Sequence, residues 1–585
     1  MSGDLNRRWA RELFAGLAAA GVRNVLVSPG SRSTPLVLAA VERSELACRV
    51  VVDERSAAFF ALGQGRVSGR PSVLVCTSGT AAAHYFPAVI EAAESGVPLI
   101  ALTADRPPEL HGRGALQTLD QAHLFGRQVR AFVDLGAPVD DPRVLAGARR
   151  AAALAVARSL DPRPGPVHIN APFRAPLEPP TDGADEGPPP LAGPRVAAPR
   201  RIVTAEAVAE LAAACRRARR GVLLAGPGPL AQSAAAPALV ALARRLGFPL
   251  LAEATSQTRF AGPSAETIGL FEYLVPVAPD AALRPDLVIQ VGGYPTSAAW
   301  GRWLDGAGAP ERWVLAPHGW HDPVDAAAGV VLGDLDLTAE ALLVALGKGQ
   351  PADADWLALW RRAEDGVRAE LDVAEARAAA AGELSEAGAA RAALRAVPPG
   401  SLLAVANSLA IREVDLACPP EIARLGVLSQ RGVSGIDGTI SAAAGAASVA
   451  GRPVTALLGD LAFLHDVGGL AAARDAGATL VLVVLRNGGG QIFSLLPVAD
   501  GRIAEQIVRD WFVTPQDVGL AAAAAAFGVG YRRASSGAEL EAAVGAAHDA
   551  GGSWVVEAFI SGPSARERRL ALRDAVRSRL EGLRG

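Results

Sequence analysis

Lysine is almost missing from this 585-residue chain: Lys348 is the only one, and the rest of the positive charge is arginine. A phosphate-binding P-loop, which needs its lysine, is therefore excluded. So is a Schiff-base mechanism, unless Lys348 supplies the amine. A GC-rich coding sequence accounts for the arginine bias as well as any function does. Cysteine is scarce too. Cys48, Cys76, Cys215 and Cys418 stand far apart and form no CxxC pair. That argues against a zinc site or a disulfide framework and for a reducing cytoplasm. No charge of one sign dominates: a formal net charge of −3 gives no field to gather nucleic acid or an acidic membrane. No run of about 18 apolar residues free of charge occurs, so no membrane span is expected. The opening stretch, "MSGDLNRRWARELFAGLAAAGV", carries charges throughout and reads as an amphipathic helix, not a signal peptide.

What is present is a globular profile. Half of the residues are hydrophobic and a fifth are charged, enough for a sizeable core, and the length suits about three or four domains of roughly 150 residues. Over the first 175 or so positions, short apolar runs alternate with helical patterns. The runs are "NVLVSPG" (24–30), "CRVVVD" (48–53), "SVLVCTSG" (72–79), "PLIALTAD" (98–105) and "GPVHINAP" (165–172). A second series holds "GVLLAGPG" (221–228), "PLLAEA" (249–254), "DLVIQVGG" (286–293), "RWVLAPHG" (312–319) and "GVVLGD" (329–334). A third holds "SLLAVANS" (401–408), "ARLGVLS" (423–429), "VTALLGD" (454–460), "LVLVVLRN" (480–487) and "SWVVEAFI" (553–560). Strand and helix in alternation predict an α/β fold of three doubly wound parallel-sheet domains. The expected boundaries are 1–178, a Pro/Gly-rich linker over 179–200, a central domain over 201–350, a helical connector over 351–384 and a last domain over 385–585. Ligands of such sheets sit at the carboxyl ends of the strands, where most of the glycine-rich and polar clusters fall.

Two of those clusters carry chemistry. Gly459–Asp460 and Asn487 each end an apolar run, and Asn487 stands 27 positions after Asp460. The interval fits one crossover through a helix, which places the two side chains at neighbouring strand ends. Two hard oxygen donors and a backbone carbonyl suit Mg²⁺, which keeps further positions for phosphate and water. The plain alternative makes Asp460 a helix N-cap and Asn487 a turn residue. The second cluster is "DERSAAFFALG", where Glu54 ends a strand and opens a helix. A glutamate there is ordinarily a solvated first-turn residue favoured by the helix dipole.

The Gly-Asp…Asn arrangement resembles the diphosphate motif of the thiamine diphosphate-dependent enzymes. The stretch "TSGTAAAHYFPAVIEA" (77–92) is similar to their pyrimidine domain. The resemblance implies that Asp460, Asn487 and the Gly489 carbonyl bind a Mg²⁺ or Mn²⁺ ion bridging the cofactor's diphosphate, with Gly459, Leu461 and Gln491 beside the cofactor. It implies that Glu54 hydrogen-bonds the aminopyrimidine ring, and that Gly435 and Ile436 lie under the cofactor, Ile436 as the apolar wedge that keeps its rings bent. Otherwise Ile436 is simply core. Arg486 stands where many members have asparagine, a position with no assigned metal bond. The family's active site forms between the first domain of one subunit and the third of its partner, so a homodimer or homotetramer is expected.

Six stretches resemble one branch of that family: "SPGSRSTPL" (28–36), "TADRPPEL" (103–110), "GPVHINAPFR" (165–174), "ANSLAIREVD" (406–415), "RGVSGIDGTISAAAG" (431–445) and "GGQIFSLLP" (489–497). That branch decarboxylates 2-oxoglutarate and adds the resulting succinyl-semialdehyde carbanion to isochorismate. Both substrates are dianions, and arginine's planar fork suits carboxylates. Arg32, Arg106, Arg412 and Arg431 all fall in the matching stretches. By the same resemblance Ser31, Gln117 and Ser408 supply hydrogen bonds, although Ser31 could equally cap the helix starting near Thr34. Leu116 stands where the branch often has asparagine, and Ala298 and Ala299 where basic residues are common, so the isochorismate subsite departs from the pattern. His84, His111 and His465 read as ordinary polar residues. Two other readings remain: an acetolactate-synthase-like carboligase, and a non-catalytic nucleotide-binding protein. Intact Glu54, Asp460 and Asn487 argue against the second, and "LLAGPGPL" (223–230) in the central domain hints only at an ancestry shared with relatives whose central domain binds FAD or nucleotides.

Overall fold

The computed structural model of the chain describes residues 2–179, 193–277, 282–304, 309–348 and 353–582. It contains three six-stranded sheets, parallel at every paired edge. The first is built from β1 (Asn24–Val27), β2 (Ala47–Val50), β3 (Ser72–Cys76), β4 (Leu99–Asp105), β5 (Ala131–Asp134) and β6 (Pro166–Pro172). The second uses β7 (Gly221–Ala225), β8 (Leu250–Ala252), β9 (Thr267–Ile268), β10 (Leu287–Val291), β11 (Glu311–Ala316) and β12 (Gly329–Leu332). The third uses β13 (Leu402–Val405), β14 (Gly426–Ser429), β15 (Val454–Gly459), β16 (Leu480–Arg486), β17 (Gly530–Ala534) and β18 (Ser553–Phe559). The doubly wound α/β expectation holds. Central strands such as β16, "LVLVVLR", are apolar without alternation because both faces are covered.

Strand order places the sites. The first sheet runs β2-β1-β3-β4-β6-β5 and the third runs β14-β13-β15-β16-β18-β17, the same order. In each, the chain reverses direction between its first and third strands, and a crevice opens outside the carboxyl ends there. The second sheet runs β12-β11-β10-β7-β8-β9, the order of dinucleotide-binding folds. Its glycine turn is nevertheless closed on itself. Gly226 N donates to Val291 O (3.0 Å), Gly228 N to Thr255 O (3.0 Å) and Gly293 N to Pro227 O (2.8 Å). A Cβ on Gly226 would lie 2.1 Å from Gly293 O. The turn's glycines serve backbone packing, and these N–H groups do not face a phosphate.

The chain divides into two compact units. One holds residues 1–199, 430–451 and 465–477; the other holds 200–429, 452–464 and 478–585. In the first, the helix Glu54–Ser68 packs on the helix Thr439–Ala450 so closely that glycine is needed at the crossing. A Cβ on Gly63 would lie 1.9 Å from Ala442 O, and one on Gly445 1.9 Å from Phe60 O. The helix Ser2–Ala19 buries Trp9, Leu13, Phe14 and Leu17, as its amphipathic pattern requires. The expected 179–200 linker lies largely outside the described residues, and a 27-residue helix, Ala354–Ala380, lies within 351–384.

Candidate active site

In the first unit, the loops after β1 and β3 meet at the reversal point. A Cβ on Gly30 would lie 2.3 Å from Thr77 Cβ, so "SPG" and "TSG" are in close contact. Asp53 caps the next helix by accepting from Arg55 N (2.9 Å) and Ser56 N (3.3 Å), and this sets Glu54 at its first turn. Glu54, Thr77, Ser78, Gly79, His84 and Gln117 line a cavity of about 500 Å³. The structure thus brings Glu54 and Gln117 together and adds His84. Gln117 sits at φ +52, a left-handed conformation rare for a side-chain-bearing residue.

Arg106 donates to Ser78 Oγ (2.5 Å), and Arg32 donates to Phe173 O (2.8 Å). Burial lowers the Arg32 pKa first and the neighbouring Arg106 charge second, with Asp105 opposing both. Two guanidiniums therefore share one carboxylate neighbourhood. The first of the two 3₁₀–α turns here starts at Ser31, but neither helix start has a side-chain cap bond, so the capping role for Ser31 is not seen. A buried polar network lies below. Asp105 accepts from Arg106 N (2.7 Å) and Asn170 Nδ2 (2.9 Å). Asn170 Oδ1 accepts from Thr103 Oγ1 (3.0 Å) and Gln121 Nε2 (3.1 Å), and Gln121 Oε1 accepts from Gly79 N (3.0 Å). Burial pushes the Asp105 carboxyl up, and the Asn170 bond offsets part of that.

The segment bearing Arg431, Gly435 and Ile436 belongs to the same unit. The buried Glu91 holds it by accepting from Gly432 N (3.1 Å) and Val433 N (2.9 Å). Ile436 is half-buried and is not a core residue. Gly438 follows at φ +61, where a Cβ would lie 1.9 Å from Phe59 Cγ.

The second unit holds the other half of the candidate residues. Ser408 stands just before the helix Leu409–Ala417 at φ +67, ψ −130, without a side-chain cap bond, and Arg412 on that helix donates to Ser408 O (2.7 Å). β15 and β16 are neighbours with Gly459 opposite Leu485, so Asp460 and Asn487 leave adjacent strand ends as the spacing predicts. Asp460, nearly buried, accepts from Leu461 N (2.8 Å), Gly488 N (3.0 Å) and Gly489 N (2.9 Å). Burial raises its pKa and these backbone bonds lower it. Asn487 donates its amide N–H to Glu386 Oε1 (3.2 Å), and its carbonyl accepts from Gln491 Nε2 (3.1 Å).

The glycine run has a packing role within the chain itself. Gly488 and Gly489 have φ of +79 and +113, and a Cβ on Gly489 would lie 2.3 Å from Val513 O. Gly489 and Gly490 must be small because they seat on the chain's own 512–515 segment, and Gly488 by its left-handed backbone. Arg486, whose charge also reaches Asp460, forms ion pairs with Glu557 (3.0 Å) and Asp517 (2.8 Å). Among the described residues no cluster of three His, Cys, Asp or Glu is arranged for a metal. The Asp460 carboxylate, the Asn487 amide oxygen and the Gly489 carbonyl are nonetheless a hard-oxygen set that fits Mg²⁺ or Mn²⁺ when phosphates complete the shell. Gly489 O accepts from Gln491 N (2.8 Å) and keeps its second lone pair.

Sequence reasoning missed Gln121, Asn170, Glu91 and Glu386. Asn170 lay in a quoted stretch, and Glu91 stands among the core positions of an apolar helix face, a visible anomaly. Gln121 carried no signal.

Repeated sheets with polar clusters at both reversal points, one bearing a lone glutamate and the other a Gly-Asp…Asn loop, define a thiamine diphosphate-dependent enzyme. Residues 7–124 match the thiamine pyrophosphate enzyme N-terminal TPP-binding domain and residues 423–558 the C-terminal TPP-binding domain. The fold is similar to benzoylformate decarboxylase from Polynucleobacter necessarius, with a TM-score of 0.70 at 16% identity, covering 95% of this chain and 99% of that one. Among curated relatives, the 2-succinyl-5-enolpyruvyl-6-hydroxy-3-cyclohexene-1-carboxylate synthase of Sorangium cellulosum is 46% identical over 95% of this chain and 93% of that protein. The synthase of the same name from Geobacillus kaustophilus is 40% identical over 94% of each. The chain belongs to the 2-succinyl-5-enolpyruvyl-6-hydroxy-3-cyclohexene-1-carboxylate synthase family.

Proposed function

We propose that this enzyme transfers a succinyl group from 2-oxoglutarate, with loss of CO₂, to isochorismate, the menaquinone-pathway reaction named for its relatives. The observation that carries the reading is the pairing of Arg32 and Arg106 beside the Glu54 cavity. Two fixed guanidiniums suit a dicarboxylate, and a pyruvate-only donor site needs fewer.

Thiamine diphosphate supplies the carbon nucleophile and electron sink when bound. Glu54 would hydrogen-bond the cofactor's aminopyrimidine ring and hold the proton exchanged there on its carboxylate. Asp460, Asn487 and the Gly489 carbonyl hold Mg²⁺ or Mn²⁺, with Gly459, Leu461 and Gln491 flanking the diphosphate. Ile436, beside Gly435, is the apolar support under the rings. Arg32, Arg106, Arg412 and Arg431 bind substrate carboxylates, and Ser31, Gln117 and Ser408 orient them by hydrogen bonds. The left-handed backbones of Gln117 and Ser408 support this role, since such strain collects at sites of function.

The same reading gives an assembly of two or four copies with active sites between subunits, and domain limits near 178, 201–350 and 385, with one sheet in each domain. It also gives a cytoplasmic setting, supported by four free cysteines. No described helix is long and apolar enough to cross a membrane. A donor and acceptor screen with thiamine diphosphate and Mg²⁺ tests the activity. Consumption of both 2-oxoglutarate and isochorismate with CO₂ release is expected; faster turnover of pyruvate would favour the acetolactate-synthase-like alternative.

A further inference from the structure

We infer that Glu386 is the positioning residue for the metal site: it fixes which end of the Asn487 amide faces the ion. This inference rests on the proposed metal-binding reading of Asp460, Asn487 and Gly489. Asn487 presents an oxygen on one side of its amide and an NH₂ on the other, and only the oxygen can bind a cation. A carboxylate accepts and does not donate. Glu386 Oε1 accepts from Asn487 Nδ2 at 3.2 Å, so it selects the orientation that leaves Oδ1 on the opposite side. Gln491 Nε2 holds the same residue by its backbone carbonyl (3.1 Å), so the side chain turns about a fixed base.

Glu386 is itself held. It begins the helix Glu386–Arg395 behind the Ser385 cap and is 4% exposed. Its second oxygen, Oε2, faces Arg568 Nη1 at 3.5 Å, and Arg568 also meets Glu383 (3.5 Å). A carboxylate pinned from behind by a guanidinium is a rigid acceptor, as partners that orient metal ligands must be. The partly buried Arg568 guanidinium also explains why an acid is tolerated there. Nothing in the sequence separates Glu386 from an ordinary first-turn acid, because Asn487 lies 101 positions away.

The test is Mn²⁺ binding, followed by electron paramagnetic resonance in the presence of thiamine diphosphate, on the full-length enzyme and two variants. Glu386→Leu keeps the bulk and removes the acceptor. Its Mn²⁺ dissociation constant is expected to rise about tenfold or more, the usual effect of losing an orienting partner. Glu386→Gln can still turn an oxygen to Asn487 and is expected within about threefold of wild type, rescuing the defect. Turnover of Glu386→Leu is expected to recover at saturating Mg²⁺. Unchanged Mn²⁺ affinity in Glu386→Leu overturns the inference, as does a turnover loss that saturating Mg²⁺ leaves in place. An unfolded Glu386→Leu shifts the decision to Glu386→Gln and Arg568→Leu: weaker Mn²⁺ binding in folded Arg568→Leu supports the inference, and wild-type affinity in it overturns it. If wild type itself shows no cofactor-dependent Mn²⁺ binding, the metal-site reading fails instead, and the inference with it.

Discussion

Replacing Asp460 with asparagine separates the part this residue plays in the fold from the part proposed for it at the metal. The aspartate accepts three backbone N–H groups, from Leu461, Gly488 and Gly489. Asparagine has one acceptor oxygen. Turned toward Gly488 and Gly489, that oxygen keeps the glycine loop closed and leaves the Leu461 N–H facing an NH₂ group. Each bond to a charged acceptor contributes about 1.5–3 kcal/mol. Burial opposes the aspartate charge in the first place, so removing it returns part of that loss. Apo stability of Asp460→Asn is therefore expected within about 1–2 kcal/mol of wild type by urea titration. Metal binding has no such compensation, because the only carboxylate in the proposed shell is gone. A loss of about 1.5–3 kcal/mol corresponds to roughly 10–100-fold weaker Mg²⁺-dependent thiamine diphosphate binding. Calorimetric titration measures it. Unchanged affinity, or a collapse of apo stability with affinity intact, refutes the assignment of Asp460 to the metal.

The remaining expectations concern the other unit. Glu54→Gln should lower turnover by at least about 100-fold, the typical size of a proton-transfer contribution, while cofactor affinity stays within a few-fold. Wild-type turnover in that variant would remove Glu54 from the mechanism. Gly438→Ala should destabilise by about 2–4 kcal/mol, since it combines a left-handed backbone with a methyl driven into the Phe59 ring; a urea midpoint close to wild type would contradict the packing. Asp466 is fully buried, and burial above all lifts its pKa to about 6 against bonds from Ser441 and the charge of Arg55. Its folded value lies above the unfolded one, so its stabilisation is complete below about pH 4 and is lost as pH rises through about 6. Asp466→Asn should flatten that fall, with a wild-type-minus-variant difference of up to about 3 kcal/mol between pH 4 and 7. Parallel stability curves would show that Asp466 does not titrate in this range.

How much was legible in the sequence follows from where each residue sits in a sheet. Five strands of each sheet were read from apolar runs. The three that were missed, β5, β9 and β17, are each a terminal strand of their sheet. An edge strand has one unpaired side and less cover, so it needs no continuous apolar run. "AFVD" and "GYRRA" are mostly half-buried, and β9 is two residues long. The reversal-point loops were legible for the opposite reason: a buried strand must stop where polar residues begin, so apolar runs point directly at the carboxyl ends that form sites.

What supports those loops was much harder to read, because support comes from elements remote in sequence. Gln121 reaches Gly79 from 42 positions away, Glu91 reaches Gly432 from 341, and Glu386 reaches Asn487 from 101. Each is a buried polar group whose partner is a backbone amide or a side-chain amide, and neither leaves a spacing signature. Glu91 was the readable one, since a charge on an apolar helix face must have a reason to be there. The glycine run after Asn487 teaches the same lesson in reverse. Its local sequence suggested a ligand-shaped gap, yet the nearest atoms to a Cβ on Gly489 are Val513 O at 2.3 Å and the Pro515 and Thr514 backbone at 3.3 Å. The loop must first fit its own chain before Asn487 and the Gly489 carbonyl can serve the metal site proposed for them. A substitution at Gly489 would therefore disturb the seating of the 512–515 segment directly, whatever it does to the proposed cofactor site.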